Sequence, residues 1–214
     1  MEATREKLLD AAGAIFAEQG FKSATVRQIC KAAGMNVAAV NYYFGDKERL
    51  YHDAVREAHR RLSDQFPLPA WPQDASAEVR LHGFIHTMLT RMIGGKSTPW
   101  EQRLMLREVL HPTAALRDLD EEYFRPHFEM LLSILRELLP DSVTIEQLRK
   151  IGFSIVGQCL YYRIAGDVVD MMTPVNERDQ FSVEALAEHI TSFTLASLQG
   201  ICRGDVEPSS ESMV

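Results

Sequence analysis

The chain has 214 residues, 46% of them hydrophobic, 25% charged and 8% aromatic, with a formal net charge of −7. That is enough for one substantial core or two modest ones in a soluble globular protein. It excludes a membrane-spanning chain, since no apolar run reaches the roughly 18 residues a span needs, and the N-terminal MEATREKLLDA lacks the apolar core of a secretion signal. A cytoplasmic location with no membrane partner is expected. Cys30, Cys159 and Cys202 are odd in number and far apart, so neither a disulfide framework nor a zinc ribbon is expected, and no cofactor is implied. The charge is unevenly spread. Residues 1–50 hold seven Lys or Arg against six Asp or Glu, whereas the other 164 hold 16 against 24. Any polyanionic partner therefore belongs at the N-terminal end.

In chain order almost everything reads as helix. Thr4 caps a first helix with Leu8, Ala12, Ile15 and Phe16 at three- and four-residue steps, and Gly20 followed by Phe21 stops it. Thr25 caps a second, short helix through Val26, Ile29, Cys30 and Ala33, which ends at Gly34. A third helix lies in NVAAVNYYF (36–44), and Asp46 caps a fourth from about Lys47 to Gln65 that is expected to bridge two domains. PLPAWPQDA (67–75) reads as a loop. Further helices are predicted at about 76–93, 99–110, 121–139, 144–170 and 182–201, separated by GGKS, HPT, LPDS and TPVNERD. Period-two alternation is nearly absent, so the fold class is all-α. The domains expected are 1–48, three short helices; 49–203, a larger helical domain; and 204–214, a disordered tail.

The informative stretch is TVRQICKAAGMNVAAVNYYF, residues 25–44. Two helices that meet steeply through a short turn need a residue free of Cβ strain at the turn (Gly34), a small one four before it (Cys30) and an apolar one six after it (Val40). Ile29 and Ala33 fill the inner face. The second helix of such a unit enters the major groove while the first crosses the backbone. Its unusual outer face then has a use. Ala38 and Ala39 are short enough for close approach, and Asn41 can pair bidentately with adenine. Tyr42 and Tyr43 carry hydroxyls that donate to phosphate, Lys47 adds a point charge, and Thr25 and Arg27 meet the backbone from the supporting helix. Asn36 and Val37, at the start of the reading helix, complete the DNA-binding set.

LLDAAGAIFAEQGF (8–21), TVRQICKAAGM (25–35) and VAAVNYYFGDKERLY (37–51) resemble the N-terminal domain of the tetracycline-repressor (TetR) family of bacterial transcription regulators. The rest, with its REVLHPT segment, is similar to the subgroup of CecR-type regulators. The resemblance implies an all-α homodimer whose last two long helices pair with those of its mate. It also implies a double-stranded DNA operator and a small-molecule inducer held in the C-terminal domain. For the dimer face the sequence offers Gly152 and Gly157 with Ile151, Ile155, Leu160, Leu186, Ile190, Phe193 and Leu198. His86, Arg103, Met105, His127, Phe128, Tyr161 and Tyr162 are candidates for the inducer site. His82 and His86 stand one turn apart, but no companion ligand has metal-site spacing, so pocket-lining or structural histidines are preferred over a metal centre. An enzyme is the rival reading. No nucleophile elbow, phosphate loop or metal motif supports it, so no catalytic residue is assigned.

Overall fold

The computed structural model describes residues 2–67, 70–72, 74–94, 99–119, 121 and 124–203. The tail expected to be disordered, 204–214, and parts of the 67–75 loop and of GGKS lie outside them. Among the described residues there are eleven α-helices and no strand. The chain folds as two compact units, one of residues 1–67 with 95–126 and the other of 68–94 with 127–214.

The first unit opens with α1 (Glu2–Ser23). It begins before Thr4, so Thr4 sits inside the first turn rather than capping it, and acidic Glu2 suits the positive end of the helix dipole. Gly20 has φ 77° and ψ 169°, a conformation essentially closed to other residues, so the regular helix breaks where the sequence placed its stop. Then come α2 (Val26–Ala33), α3 (Val37–Phe44) and α4 (Lys47–Gln65), the last capped by Asp46. Helix α4 lies wholly within this unit and packs on α1, on α6 (Trp100–Leu110) and on α7 (Ala114–Leu119). It is a strut of the first unit rather than the expected bridge. Phe16, Leu8, Ile29, Val40, Leu50 and Leu104 form the centre of the core.

Two features lock α4 and α6 together. Glu108 is fully buried, where a carboxylate is costly unless bonded. The Tyr51 hydroxyl donates to it, as do the Thr113 N–H at 3.1 Å and the Thr113 hydroxyl at 2.9 Å. Burial and the Glu108 carboxylate push the Tyr51 phenol far above its ordinary range. Nearby, Arg61 joins Glu57 and Asp10 at 2.7 and 2.6 Å and Glu101 at 3.2 Å, with its guanidinium over the Trp100 ring. Trp100 in turn lies against Gly13, where a Cβ would stand 2.3 Å from the indole.

The second unit holds α5 (Ala77–Ile93), all but the first two residues of α8 (Arg125–Leu138), α9 (Ile145–Ile164), α10 (Gly166–Met172), a 3-10 segment (Val175–Phe181) and α11 (Val183–Arg203). Helix α5 packs against both α9 and α11 around Leu81, Ile85, Leu89, Leu131, Leu135, Ile155 and Ile190. The single helix expected over 144–170 is broken at Ala165 (φ −106°, ψ 18°), and α7 falls where only a separator was expected. Thr144 forms a complete capping box with Gln147 at the start of α9.

Most residues offered for the dimer face belong to this unit's own core. Gly152, Ile155, Leu186, Ile190 and Leu198 are buried within it. A Cβ on Gly152 would stand 3.0 Å from the Phe128 ring, so that glycine serves α8–α9 packing, while nothing lies within 4 Å of such an atom on Gly157. The exposed apolar side chains include instead Phe153 (62%), Tyr161, Ile164 and Phe193 (60%) on α9 and α11, with Val168, Met171 and Met172 on α10.

Candidate nucleic-acid interface

Helices α2 and α3 meet through a turn built as the spacing required. Gly34 is left-handed (φ 67°, ψ 33°); its N–H donates to the Lys31 carbonyl at 3.3 Å while the Met35 N–H reaches the Cys30 carbonyl at 2.8 Å. This pair of bonds closes a helix end with minimal chain and sends the next helix off at once. Ile29, Cys30 and Val40 are buried, with Ala33 packed at the edge of the core. Another positive-φ glycine, Gly45 (φ 83°), ends α3, and Asp46 accepts the Arg49 N–H at 2.8 Å to start α4.

The start of α2 is a capping box that TVRQ spells out, with Gln28 the partner that the sequence reading of Thr25 missed. The Thr25 hydroxyl accepts the Gln28 N–H at 3.2 Å. Both Thr25 donors, N–H and O–H, point at Gln28 Oε1, at 2.9 and 2.7 Å. Gln28 Nε2 donates to Gln19 Oε1 at 3.3 Å, tying this corner back to α1. Thr25 thus fixes the end of the supporting helix. Arg27 is exposed beside it.

Helix α3 divides sharply. Val40 and Phe44 point into the core, whereas Asn36, Val37, Ala38, Asn41 and Tyr42 are exposed, Tyr42 at 73%. Asn36 caps the helix through its side-chain oxygen, which accepts the Ala39 N–H at 3.1 Å. Ala39 and Tyr43 are half-buried against the core edge, so neither stands in the open row of side chains. Tyr43 meets Tyr42 edge-on, with ring centroids 4.9 Å apart and planes at 87°, and holds it upright. Lys47 is half-buried, its ammonium 4.6 Å from the centre of the Phe21 ring. The result is an outward strip with a side-chain amide, a raised phenol and short alkyl groups, flanked by Arg27 and Lys47. Such a strip can form hydrogen bonds to base edges and ion pairs to phosphate.

Comparison with known proteins settles the family. Residues 8–54 match the family described as "Bacterial regulatory proteins, tetR family". Residues 77–201, more than half of the chain, match "HTH-type transcriptional dual regulator CecR, C-terminal domain". The chain belongs to the TetR family of bacterial regulatory proteins. It is a TetR-family transcriptional regulator with a CecR-like C-terminal region. The HTH-type transcriptional dual regulator CecR of Shigella flexneri is 26% identical over 210 residues, 94% of this chain and 93% of that protein. The HTH-type transcriptional repressor AcnR of Corynebacterium efficiens is 38% identical over 61 residues, 28% of this chain and 32% of its own length. A TetR-like transcriptional regulator from Rhodococcus sp. RHA1 shares the fold, with a TM-score of 0.68 at 18% identity over 94% of this chain and 98% of that one. So does AibR, solved in complex with isovaleryl coenzyme A and operator DNA, with a TM-score of 0.65 at 15% identity over 89% and 97% of the two chains. Within this TetR-family chain the DNA-binding signature is the α2–α3 pair.

The seven inducer-site candidates are divided between the two units. Arg103 and Met105 stand on α6 in the first unit, Met105 against its core. The other five belong to the second unit. There Arg91 lies 3.3 Å from His127 Nε2, Phe128 stacks on Phe153 with centroids 4.6 Å apart, and exposed Tyr161 meets Tyr162 edge-on at 5.8 Å. His86 stacks on His82 at 6.2 Å and sits 3.8 Å from Glu184. Among the described residues no three His, Cys, Asp or Glu side chains are grouped to hold a metal, and no helix is long and apolar enough to cross a membrane.

Proposed function

We propose that the chain is a ligand-responsive repressor that binds a palindromic operator as a homodimer, through residues 1–48, and releases it when residues 49–203 take up a small molecule. The observation that carries the DNA reading is the outer face of α3: Asn41, Tyr42 and Ala38 are exposed on a helix whose other side is anchored by Val40 and Phe44. On this reading Asn41 reads a base, with Ala38 and Val37 against the groove floor. Tyr42, Arg27, Asn36 and Lys47 hold phosphates. Thr25, Ala39 and Tyr43 set the geometry of those contacts.

The exposed Phe153, Tyr161, Ile164 and Phe193 support a second copy packed on α9 and α11, since apolar surface of this size on two late helices is the mark of a covered face. A two-fold dimer presents the same helix twice, hence a palindrome. A ligand that favours a different separation of the two α3 helices lowers DNA affinity and is itself weakened by DNA to the same degree. His86, His127, Phe128, Tyr161 and Tyr162 remain the proposed lining. The acidic balance beyond residue 50 and the Met and aromatic content favour an apolar or cationic organic ligand. That AibR, of the same fold, was solved with both a coenzyme A ester and operator DNA supports one chain carrying both functions.

The test begins with duplexes selected from random-sequence DNA. Two inverted half-sites are expected, with affinity falling steeply as salt rises. Selection of no sequence, or affinity indifferent to salt, overturns the DNA reading. A small-molecule panel is then screened for release of the selected duplex. Release by metal ions alone, lost in His82→Ala and His86→Ala, replaces the organic ligand with a metal.

A further inference from the structure

A lysine at the first position of a helix is electrostatically misplaced. The N-terminus of a helix carries a partial positive charge, so a cation there costs stability. Lys47 occupies that position in α4, directly after the capping Asp46. Its ammonium does not lie against a carboxylate at the helix start. It rests over the face of Phe21, 4.6 Å from the ring centre.

The ring is itself held. Gly20, in its left-handed extended conformation, turns the chain so that Phe21 leaves the line of α1. The edge of Phe21 then meets Tyr51, with centroids 5.1 Å apart and planes at 61°, and Phe16 lies 6.4 Å away. Tyr51 donates in turn to the fully buried Glu108. A buried carboxylate, a phenol and an aromatic ring thus run outward in sequence and end under one ammonium. A lysine stem otherwise carries rotamer freedom that it must lose on contact. A ring face attracts the ammonium and fixes its place without neutralising its charge, whereas a carboxylate partner would neutralise it.

We propose that Phe21 is a positioning residue for DNA binding, its ring holding the Lys47 ammonium in place and still fully charged for a phosphate. The inference rests on the reading of Lys47 as a phosphate contact.

A double-mutant cycle tests it, by fluorescence anisotropy on a duplex selected by the unmodified protein, over a salt series. Lys47→Gln removes the charge and makes the salt dependence shallower by about one counterion. Phe21→Leu keeps the charge, so the salt slope stays while affinity falls roughly two- to fivefold, the range of an exposed cation–π contact. In the Lys47→Gln background Phe21→Leu has no further effect, and Phe21→Tyr, which keeps the ring, binds like the unmodified protein. Additive losses in the double variant overturn the inference while leaving Lys47 as a DNA contact. Unchanged affinity and slope in Lys47→Gln overturn both. Should Phe21→Leu not fold, the unmodified protein still decides the matter. Its Lys47 ε-methylene protons are expected upfield of an ordinary lysine because of the ring current, and an ordinary shift overturns the inference.

Discussion

The two units leave apolar surface in the open in different ways. In the first, the most exposed large side chain of α3 is Tyr42, a ring with a hydroxyl, set among Asn36, Asn41 and Arg27, with the smaller Val37 beside it. In the second, the exposed row is Phe153, Ile164, Met171, Met172 and Phe193, and Tyr161 alone among the residues named there has a polar tip. Amphipathic aromatics suit a wet, charged partner, whereas bare hydrocarbon suits a surface that excludes water. The contrast teaches that the two exposed faces differ in chemistry, as the proposed DNA contact and the proposed dimer contact require.

The most drastic way to break the contrast is to place charge on the second face. Phe153→Glu with Phe193→Glu should raise the dimer dissociation constant at least roughly a hundredfold, with light scattering at micromolar concentration moving to the chain mass. A variant that stays dimeric would place the dimer face elsewhere. Next in size is the core of the first unit. Tyr51→Phe takes a donor from the buried Glu108 carboxylate and should cost about 1–3 kcal/mol in urea unfolding. Thr113 still donates to that carboxylate, which keeps the loss below complete unfolding.

A sharper comparison comes from the reading strip itself. Asn41→Ala should relax discrimination at one base per half-site by about 1–3 kcal/mol in competition with single-base variants of the selected duplex. A uniform loss at all positions would make Asn41 a phosphate contact. The smallest effect is at Glu57, whose carboxyl is held below the ordinary range first by the hydrogen bond from Arg60, with Arg61 adding to it. Its unfolded form binds a proton more readily than its folded form, so the ion pair stabilises above about pH 4.5 and its contribution is lost as pH falls through the lowered value. Glu57→Gln should therefore flatten the fall in Tm on acidification below that pH while lowering Tm slightly at pH 7.

What was legible in the sequence was what short spacing controls. Gly34, Cys30 and Val40 are bound to one another within eleven residues, and a steep turn leaves them no alternative arrangement. Which face of a long helix points inward is a different matter. Ile155 and Phe153 are both apolar, and only the packing of α5 and α8 decides that the first is core and the second is surface. The six residues of α7 are too few to display a helical period, and the break at Ala165 carries no proline to announce it. Unit membership was equally hidden: Arg103 and His127 are close in the sequence but belong to different units.

The contact of Trp100 with Gly13 constrains the order in which this protein can change. Any side chain at position 13 meets the indole at 2.3 Å, although alanine would ordinarily favour a helix over glycine by about 1 kcal/mol. Position 13 can gain a methyl group only if the Trp100 ring moves or is lost, and a lineage that loses the ring first passes through a cavity. Drift at these two sites is thus channelled through a narrow pass, and among descendants of this sequence a larger residue at one position should travel with a smaller residue at the other.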